Sequence, residues 1–303
     1  MRTALIALTD ELRRLKTAGV KSVAVSDESV AALRRVVAGC KASRPAAAAA
    51  PVVTPAKSSV PPAPVVALKP VASPAGKPMS PPPPIVLPPG GKQVRWDALL
   101  ELVRNDPTCR AHVRPGKLVV LGVGNLEAKI MFVGEAPGAD EEVKGEPFVG
   151  PAGQLLTRMI GAMGLKREDV YIGNIMNWRP EMPTPPGAQQ IGNRPPTEEE
   201  MRYCLPYLRA QIEIVAPALL VALGSTAAQG LLGFGTFKAL GEIRGRWREF
   251  AGKPLMVTYH PSYILRNQSN RSKRMIWEDL LKVMERAAIP ISDKQRGFFL
   301  ERG

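Results

Sequence analysis

Short apolar strands alternate with amphipathic helices along the second half of the chain, and this alternation restricts the fold more than any other feature. Four segments have the pattern of buried strands, at residues 129–133, 170–175, 219–223 and 254–259. Helical patterns lie between them, for example at residues 154–164. The alternation predicts an α/β protein with a three-layer α/β/α architecture and a central, mostly parallel sheet of about four strands.

The first 93 residues do not share this pattern. Residues 43–93 hold 15 of the chain's 31 prolines, and no Asp or Glu occurs between residues 29 and 96. Such a segment buries too little apolar surface to offset ordering entropy, which predicts a disordered, extended Pro/Ala-rich linker. Residues 1–42 carry leucines and valines at helical spacing, so we expect a helical segment there that either binds a protein partner or forms an accessory hairpin. The globular domain is then predicted at 94–289, with a C-terminal tail at 290–303.

The chain is strongly basic, with a formal net charge of +14 and a pI of about 10.0. This balance favours an anionic partner, most often a nucleic acid. Residues 1–93 contribute +9, from 13 basic and 4 acidic residues, so the remaining residues contribute only +5. Charge alone therefore leaves open whether the globular domain carries a DNA-binding groove or the excess merely solvates the N-terminal region.

The spacing of the cysteines and the hydropathy of the chain both favour a location in the cytoplasm. The three cysteines, Cys40, Cys109 and Cys204, are widely spaced. This spacing argues against a disulfide framework and for a reducing environment. We see no apolar run long enough for a membrane span and no signal-peptide pattern at the start. We expect a cytoplasmic monomer that does not contact membranes.

Two strand ends carry residues with useful chemistry. The strand at 129–133 runs into Gly-Glu-Ala-Pro-Gly at 134–138, which is followed by three acids at 140–142 and by Phe148. The last strand ends at His260, one of only two histidines, followed by Pro-Ser. Ligands bind beyond the carboxyl ends of strands in open α/β sheets, which makes both places candidate sites. Taken singly, each is equally compatible with an ordinary loop and a structural histidine.

Taken together, these motifs resemble the uracil-DNA glycosylase superfamily, and its family 4 in particular. The resemblance rests on GEAPG-x-x-E at 134–141, PFVG-x-A-G-x-L-L at 147–156 and HPS-x-x-LR at 260–266, and it covers roughly residues 122–286. It implies a monofunctional glycosylase that flips uracil out of DNA and hydrolyses its N-glycosidic bond in base excision repair.

The resemblance also implies roles in the pocket. Glu135 and Ala136 would line the uracil pocket, and Glu141 would act in catalysis or in handling water. Phe148 would stack on uracil, although a core phenylalanine is the alternative. Asn174 would contact the uracil edge through its amide, and His260 would donate to uracil O2 as negative charge develops there.

A second group of residues would contact the DNA strand. The sequence 265–266, Leu-Arg, resembles an intercalation loop in which Leu265 fills the vacated stack and Arg266 meets a phosphate. Burial of Leu265 within a helix is the alternative. The remaining candidates for DNA contact are Asn193, Ser225 and Ser262, and the Gly-Ser-Thr at 224–226 is only a weak phosphate motif.

The chain departs from the family at its iron–sulfur ligands. Family 4 members typically hold a [4Fe-4S] cluster on four cysteines, whereas here only Cys109 and Cys204 remain as candidate ligands and Trp178 stands at a third position. Two thiolates are too few for such a cluster. We therefore expect no cofactor, with Trp178 filling the space by aromatic packing.

Two other functions compete with uracil excision. One is a glycosylase for another deaminated or mismatched base, because the small Ala136 leaves the pocket shape open. The other is a non-catalytic DNA-binding relic of the fold, which the missing cluster cysteines favour and the retained Glu141, Asn174 and His260 oppose.

Overall fold

The computed structural model describes residues 79, 81–82, 84–185 and 188–300. The chain divides into two units, Met1–Leu68 and Lys69–Gly303, and every described residue belongs to the second unit. The expected N-terminal helices and most of the expected linker lie outside the described residues. Within the part that is described, no helix is both long and apolar enough to cross a membrane.

A six-stranded sheet forms the centre of the domain, with the order β1-β3-β2-β4-β6-β5. The middle four strands are parallel, and both edge strands are antiparallel to their neighbours. The strands are β1 (Val123–Gly124), β2 (Ile130–Gly134), β3 (Tyr171–Asn174), β4 (Leu219–Leu223), β5 (Trp247–Phe250) and β6 (Lys253–Thr258). The predicted α/β class and mostly parallel sheet are confirmed, whereas the count of about four strands is wrong because it missed both edges.

Both missed strands lack the apolar pattern of a buried strand. Strand β1 has only two residues, neither of them buried. Strand β5 exposes two central charged residues and buries only Phe250. It joins β6 through Ala251 and Gly252, whose φ angles of 49° and 70° give the left-handed turn that two-residue hairpins prefer.

The helix predicted at residues 154–164 is present at Pro151–Ala162. The helices are α1 (Lys92–Asn105), α2 (Pro107–His112), α3 (Ala139–Lys144), α4 (Pro151–Ala162), α5 (Glu198–Val215), α6 (Ser225–Leu232), α7 (Leu240–Ile243), α8 (Pro261–Arg266), α9 (Asn270–Arg286) and α10 (Asp293–Arg296). The Thr197 side chain accepts from the Glu200 N–H and Glu200 accepts from the Thr197 N–H. This capping box explains why α5 begins at Glu198.

Two hydrophobic cores, one on each face of the sheet, join the sheet to a layer of helices on either side. Alternate residues of β2 enter different cores: Met131 and Val133 face one, and Ile130 and Phe132 face the other. The first core packs against α1 and α5, and the second against α4 and α9. Residues after 289 belong to this packing as well, since Phe298 lies 5.2 Å from Trp277, ring to ring.

The strand order brings the candidate site residues together at the carboxyl ends of the central strands. Strand β2 pairs with β3 on one side and with β4 on the other, so the chain crosses over after β3. Crevices for ligands form at such switch points, beyond the carboxyl ends of the strands. Here those ends bring Gly134 directly opposite Asn174 in the register of β2 and β3.

Candidate active site

Gly134 lies where two candidate side chains meet. A Cβ atom on Gly134 would lie 2.4 Å from Asn174 Oδ1 and 2.4 Å from Phe148 Cζ. No such approach is tolerated between non-bonded atoms, so the absence of a side chain at 134 allows the amide and the ring to occupy this place. The first glycine of the Gly-Glu-Ala-Pro-Gly turn thus lies where the side chains of the candidate base pocket converge.

The amide of Asn174 is buried yet incompletely satisfied. Asn174 is 5% exposed, and its Oδ1 has no hydrogen-bond partner among the described residues. Buried amide oxygens without partners are rare in native proteins, because each costs about 1–3 kcal/mol. An acceptor held in this state at the end of β3 is suited to a ligand that brings a donor.

The backbone at Phe148 is arranged around its ring. Phe148 has φ of 55°, an uncommon conformation for a bulky residue. Its carbonyl approaches α4 so closely that a Cβ on Gly153 would lie 1.9 Å from the oxygen. Phe148 belongs to the second core, as the structural alternative supposes, and its ring also lies 5.6 Å from the imidazole of His260. One aromatic ring therefore serves both as core packing and as a neighbour of the pocket.

His260 caps α8, and this fixes its tautomer. The backbone N–H of Ser262 donates to His260 Nδ1 at 3.2 Å, and the Ser262 hydroxyl is 2.9 Å from the same nitrogen. Because a backbone N–H can only donate, Nδ1 is the acceptor and the neutral ring carries its proton on Nε2. Burial, with a smaller effect of Arg266, lowers the pKa of His260 to about 4. The imidazole is therefore a neutral Nε2–H donor at physiological pH.

Glycine at position 224 lets His260 approach the end of β4. Gly224 has φ of 96°, and a Cβ there would lie 3.0 Å from His260 Cβ. The next residues begin α6, and the Thr226 side chain is near enough to Glu135 to favour the ionised carboxylate. Burial raises the pKa of Glu135 and outweighs the opposing effect of Thr226. Glu135 and His260 are thus both placed around the start of α6.

Glu141 is engaged with backbone amides. Its Oε1 accepts from the N–H groups of Val149 and Gly150, both at 2.9 Å, and its Oε2 accepts from Gly138 at 3.0 Å. Glu141 is only 9% exposed. This carboxylate joins the Gly-Glu-Ala-Pro-Gly turn to the loop that carries Phe148, which is the arrangement of a positioning residue rather than of one that handles water.

Comparison with known proteins identifies the family to which this pocket belongs. A family model for the uracil DNA glycosylase superfamily matches residues 121–281, more than half of the chain. A type-4 uracil-DNA glycosylase of Thermotoga maritima is 42% identical over 183 residues, which cover 60% of this chain and 89% of that protein. One from Archaeoglobus fulgidus is 42% identical over 177 residues, 56% of this chain and 84% of that protein. A type-5 uracil-DNA glycosylase of Pyrobaculum aerophilum is 31% identical over 185 residues, 54% of this chain and 73% of that protein.

The chain belongs to the uracil-DNA glycosylase superfamily. The pocket elements described above all lie within the region that the family model matches.

The residues expected to contact DNA occupy different positions in this glycosylase domain. Leu265 is 37% exposed at the end of α8, and Arg266 is exposed beside it, so the alternative of a buried helix residue does not hold. Ser225 is exposed at the first turn of α6. The Ser262 hydroxyl contacts His260, which makes a role in orienting the imidazole more consistent with the structure than the expected DNA contact.

Asn193 is exposed, but Arg179 holds its amide oxygen: Arg179 Nε donates to Asn193 Oδ1 at 2.8 Å. Arg179, which sequence reasoning did not single out, is a buried arginine that comes five residues after Asn174. In the sequence, only its place next to Pro180, shortly after β3, could have suggested that Arg179 has a role near the site.

The two cysteines that the resemblance leaves as candidate cluster ligands lie among hydrogen-bonded and aromatic side chains. Cys109 and Cys204 are buried free thiols, and burial is the main cause that raises the pKa of both. The Asp106 carboxylate, which accepts from the Cys109 N–H, also accepts from Tyr203 at 2.8 Å and from Tyr207 at 3.0 Å.

Trp178 completes this arrangement. It is 1% exposed and stacks on His112 at 4.9 Å between ring centroids, with the planes 8° apart. Tyr203 lies on another side of the indole at 6.2 Å. A [4Fe-4S] cluster requires four ligands, usually cysteines, and two thiols beside an indole do not fit it.

Proposed function

We propose that this protein is a monofunctional uracil-DNA glycosylase that hydrolyses the N-glycosidic bond of deoxyuridine in DNA during base excision repair. The observation that carries the proposal is the unpartnered Oδ1 of Asn174, which meets the Phe148 ring over Gly134. A uracil stacked on that ring would supply the missing donor.

Base selection follows from the Asn174 amide. Its Oδ1 would accept from uracil N3–H, and its Nδ2 would donate to O4. Cytosine presents the opposite pattern, an acceptor at N3 and a donor at C4, so both contacts would become repulsive. A site that hydrogen-bonds its substrate rejects analogues with unmatched groups strongly, because its buried polar atoms are then left unpaired.

Leaving-group stabilisation falls to His260. As the glycosidic bond breaks, negative charge develops on the uracil ring and positive charge on the sugar. A neutral Nε2–H group that donates to O2 would stabilise this developing negative charge. The lowered pKa of His260 keeps the ring neutral in the pH range of the reaction.

We assign Glu135 to the sugar side of the scissile bond. The nearby Thr226 favours its ionised form, which would stabilise the oxocarbenium-like sugar or orient the attacking water. We assign Glu141 to holding the pocket loops through its three backbone contacts. Ala136, half-buried in the same turn, would line the pocket.

Access to the base requires flipping. The exposed Leu265 would fill the gap left in the base stack, and Arg266 would contact a phosphate, which offsets part of the unstacking cost. No lysine is among the described residues that converge at Gly134, Asn174 and His260, so a Schiff-base lyase step has no nucleophile here. The product is then an intact abasic site.

The finer assignments are part of the same proposal. The protein would act without a metal cluster, as a monomer in the cytoplasm. Residues 1–42 would recruit a protein partner or form an accessory hairpin.

Excision from a single-uracil oligonucleotide tests the proposal. The full chain is incubated with the oligonucleotide, and alkali then cleaves any abasic site; an absorption spectrum and iron assay of the same sample report on a cluster. Cleavage at uracil without iron is the expected result. Cleavage only at mismatched thymine or hypoxanthine would transfer the function to another lesion, and binding without any cleavage would favour the DNA-binding relic.

A further inference from the structure

Arg179 holds one side of the 188–194 loop, which follows β3 and precedes α5. It is 5% exposed, and its Nη2 donates to the carbonyl of Gly192 at 2.7 Å. Its Nε donates to Asn193 Oδ1 at 2.8 Å. A single buried guanidinium thus fixes both the backbone of this loop and the side chain of Asn193.

The other side of Arg179 is paired with α3. Arg179 Nη1 donates to Glu142 Oε1 at 2.9 Å, and Arg114 donates to the same oxygen. Burial alone would raise the pKa of Glu142, but the hydrogen bonds from the two arginines outweigh it and lower the pKa. Glu142 is therefore an ionised, 5% exposed carboxylate that secures Arg179 in one orientation.

This pairing determines which group Asn193 presents to solvent. Because its Oδ1 accepts from Arg179, the Asn193 amide cannot flip, and its Nδ2–H donors point away from the guanidinium. A Cβ on Gly138 would lie 3.7 Å from Asn193 Nδ2, so these donors are next to the turn that forms the uracil pocket. Asn193 is exposed, and an exposed donor at the rim of the pocket suits a phosphate oxygen of the DNA strand.

We propose that Arg179, secured by Glu142, is a positioning residue that orients Asn193 to bind the DNA backbone beside the flipped nucleotide. The inference deepens the proposed glycosylase function and rests on it. Two neighbouring carboxylates of α3 then have different roles. Glu141 holds the pocket loops, and Glu142, through Arg179, holds the loop that contacts the DNA strand. Both carboxylates lie on one helix of six residues, which therefore links the base pocket to the proposed contact with the DNA backbone.

A double-mutant cycle tests the coupling. Binding of the full chain to a single-stranded oligonucleotide that contains 2′-fluorodeoxyuridine, which resists hydrolysis, is followed by fluorescence anisotropy. We expect Asn193→Ala and Arg179→Lys each to weaken the affinity by about fivefold, the worth of one hydrogen bond. The double variant should be no weaker than the more severe single variant. Lysine keeps the charge next to Glu142 but lacks the planar fork that reaches Asn193.

Two further readouts separate positioning from a structural role. The dependence of log Kd on log salt should stay unchanged in Arg179→Lys, because Arg179 itself contacts no phosphate. The matched control is Arg114→Lys, which perturbs the same oxygen of Glu142 without touching Asn193, and its affinity should equal that of the wild type. Multiplicative effects in the double variant, or equal weakening by Arg114→Lys, would overturn the proposal.

A variant outside the ion pair covers the case in which Arg179→Lys does not fold. Asn193→Asp keeps the acceptor for Arg179 but replaces the donor with a charge that repels phosphate, so it should bind more weakly than Asn193→Ala. Wild-type affinity in Asn193→Asp would overturn the assignment. A wild-type protein that binds this oligonucleotide but leaves uracil DNA uncut would overturn the glycosylase function alone, since the coupling is measured by binding.

Discussion

Phe148 and His260 lie 5.6 Å apart, ring to ring and tilted by 31°, although 112 positions separate them in the sequence. Phe148 adopts a left-handed backbone conformation, and His260 caps a six-residue helix. Both therefore depend on local backbone features that carry little stability of their own. The pair forms two sides of the pocket whose third side is Asn174.

Asn174→Asp should abolish most uracil excision. A carboxylate cannot donate to uracil O4, and it would place a buried charge against that oxygen. We expect kcat/KM on a uracil oligonucleotide to fall by about 100-fold or more. Asn125→Asp, in the exposed turn before β2, serves as the control because Asp keeps the oxygen that accepts from the Glu127 N–H, and it should keep wild-type activity. Unchanged excision by Asn174→Asp would contradict the amide assignment.

His260 should make the protein less stable as pH falls. Its pKa is lowered from 6.5 to about 4 in the folded state, so between these values the unfolded chain binds a proton that the folded protein does not. Stability from this group is complete above pH 6.5 and is lost as pH falls toward 4. Urea midpoints at pH 7 and pH 5 should differ less in His260→Gln than in the wild type. An identical difference would show that His260 is not the group responsible.

Gly134→Ala should close the pocket. The added methyl group would lie 2.4 Å from both Asn174 and Phe148, so one of them must move. We expect loss of uracil excision in a protein that still folds, as judged by circular dichroism. Gly161→Ala in α4 is the matched control, since its Cβ meets nothing within 4 Å; it should stay active and gain up to about 1 kcal/mol of stability from helix propensity. An active Gly134→Ala would place the pocket elsewhere.

Asp106→Ala should cost stability without directly affecting chemistry. Asp106 accepts hydrogen bonds from Tyr203 and Tyr207, and its removal leaves two hydroxyl groups unpaired in the core. The free energy of unfolding in urea should fall by about 2–4 kcal/mol. Asp97→Ala, on the exposed face of α1, should change it little. A stability loss no larger than that of the control would mean that the hydrogen bonds of Asp106 with the two tyrosines do not stabilise the domain.

Leu265→Ala should separate double-stranded from single-stranded substrates. If Leu265 fills the gap in the base stack, its truncation should slow excision from a duplex by about 10-fold and leave a single strand nearly unaffected, because no stack then needs repair. Val94→Ala, a similar change at an exposed position of α1, should alter neither substrate. Equal loss on both substrates would contradict the wedge role.

Much of the sheet could be predicted from its apolar segments. The four central strands are buried on both faces, and such strands produce continuous apolar runs that are easily recognised. Strand β5 reads Trp-Arg-Glu-Phe, and its pairing depends on the turn at Ala251 and Gly252 rather than on hydrophobicity. An edge strand of this kind leaves no strong pattern in the sequence.

The site could be predicted in its residues but less well in their partners. Glu141 follows the Gly-Glu-Ala-Pro-Gly turn, yet spacing alone does not reveal that both its oxygens accept backbone N–H groups. Ser262 next to His260 suggested a DNA contact, whereas the helix cap turns its hydroxyl toward the imidazole. Both depend on loop geometry that forms only in the folded domain.

The parts of the pocket are distributed from Gly134 to His260 and lie at or beyond the ends of the four parallel strands. No single hairpin or helix pair contains enough of it to hold a base. Parallel strands pair only after long connections close, so the pocket can form only late in folding, when most of the domain is in place. Ligands of this pocket would therefore bind the complete domain and not its partly folded forms, and their binding should raise the melting temperature of the whole cooperative unit.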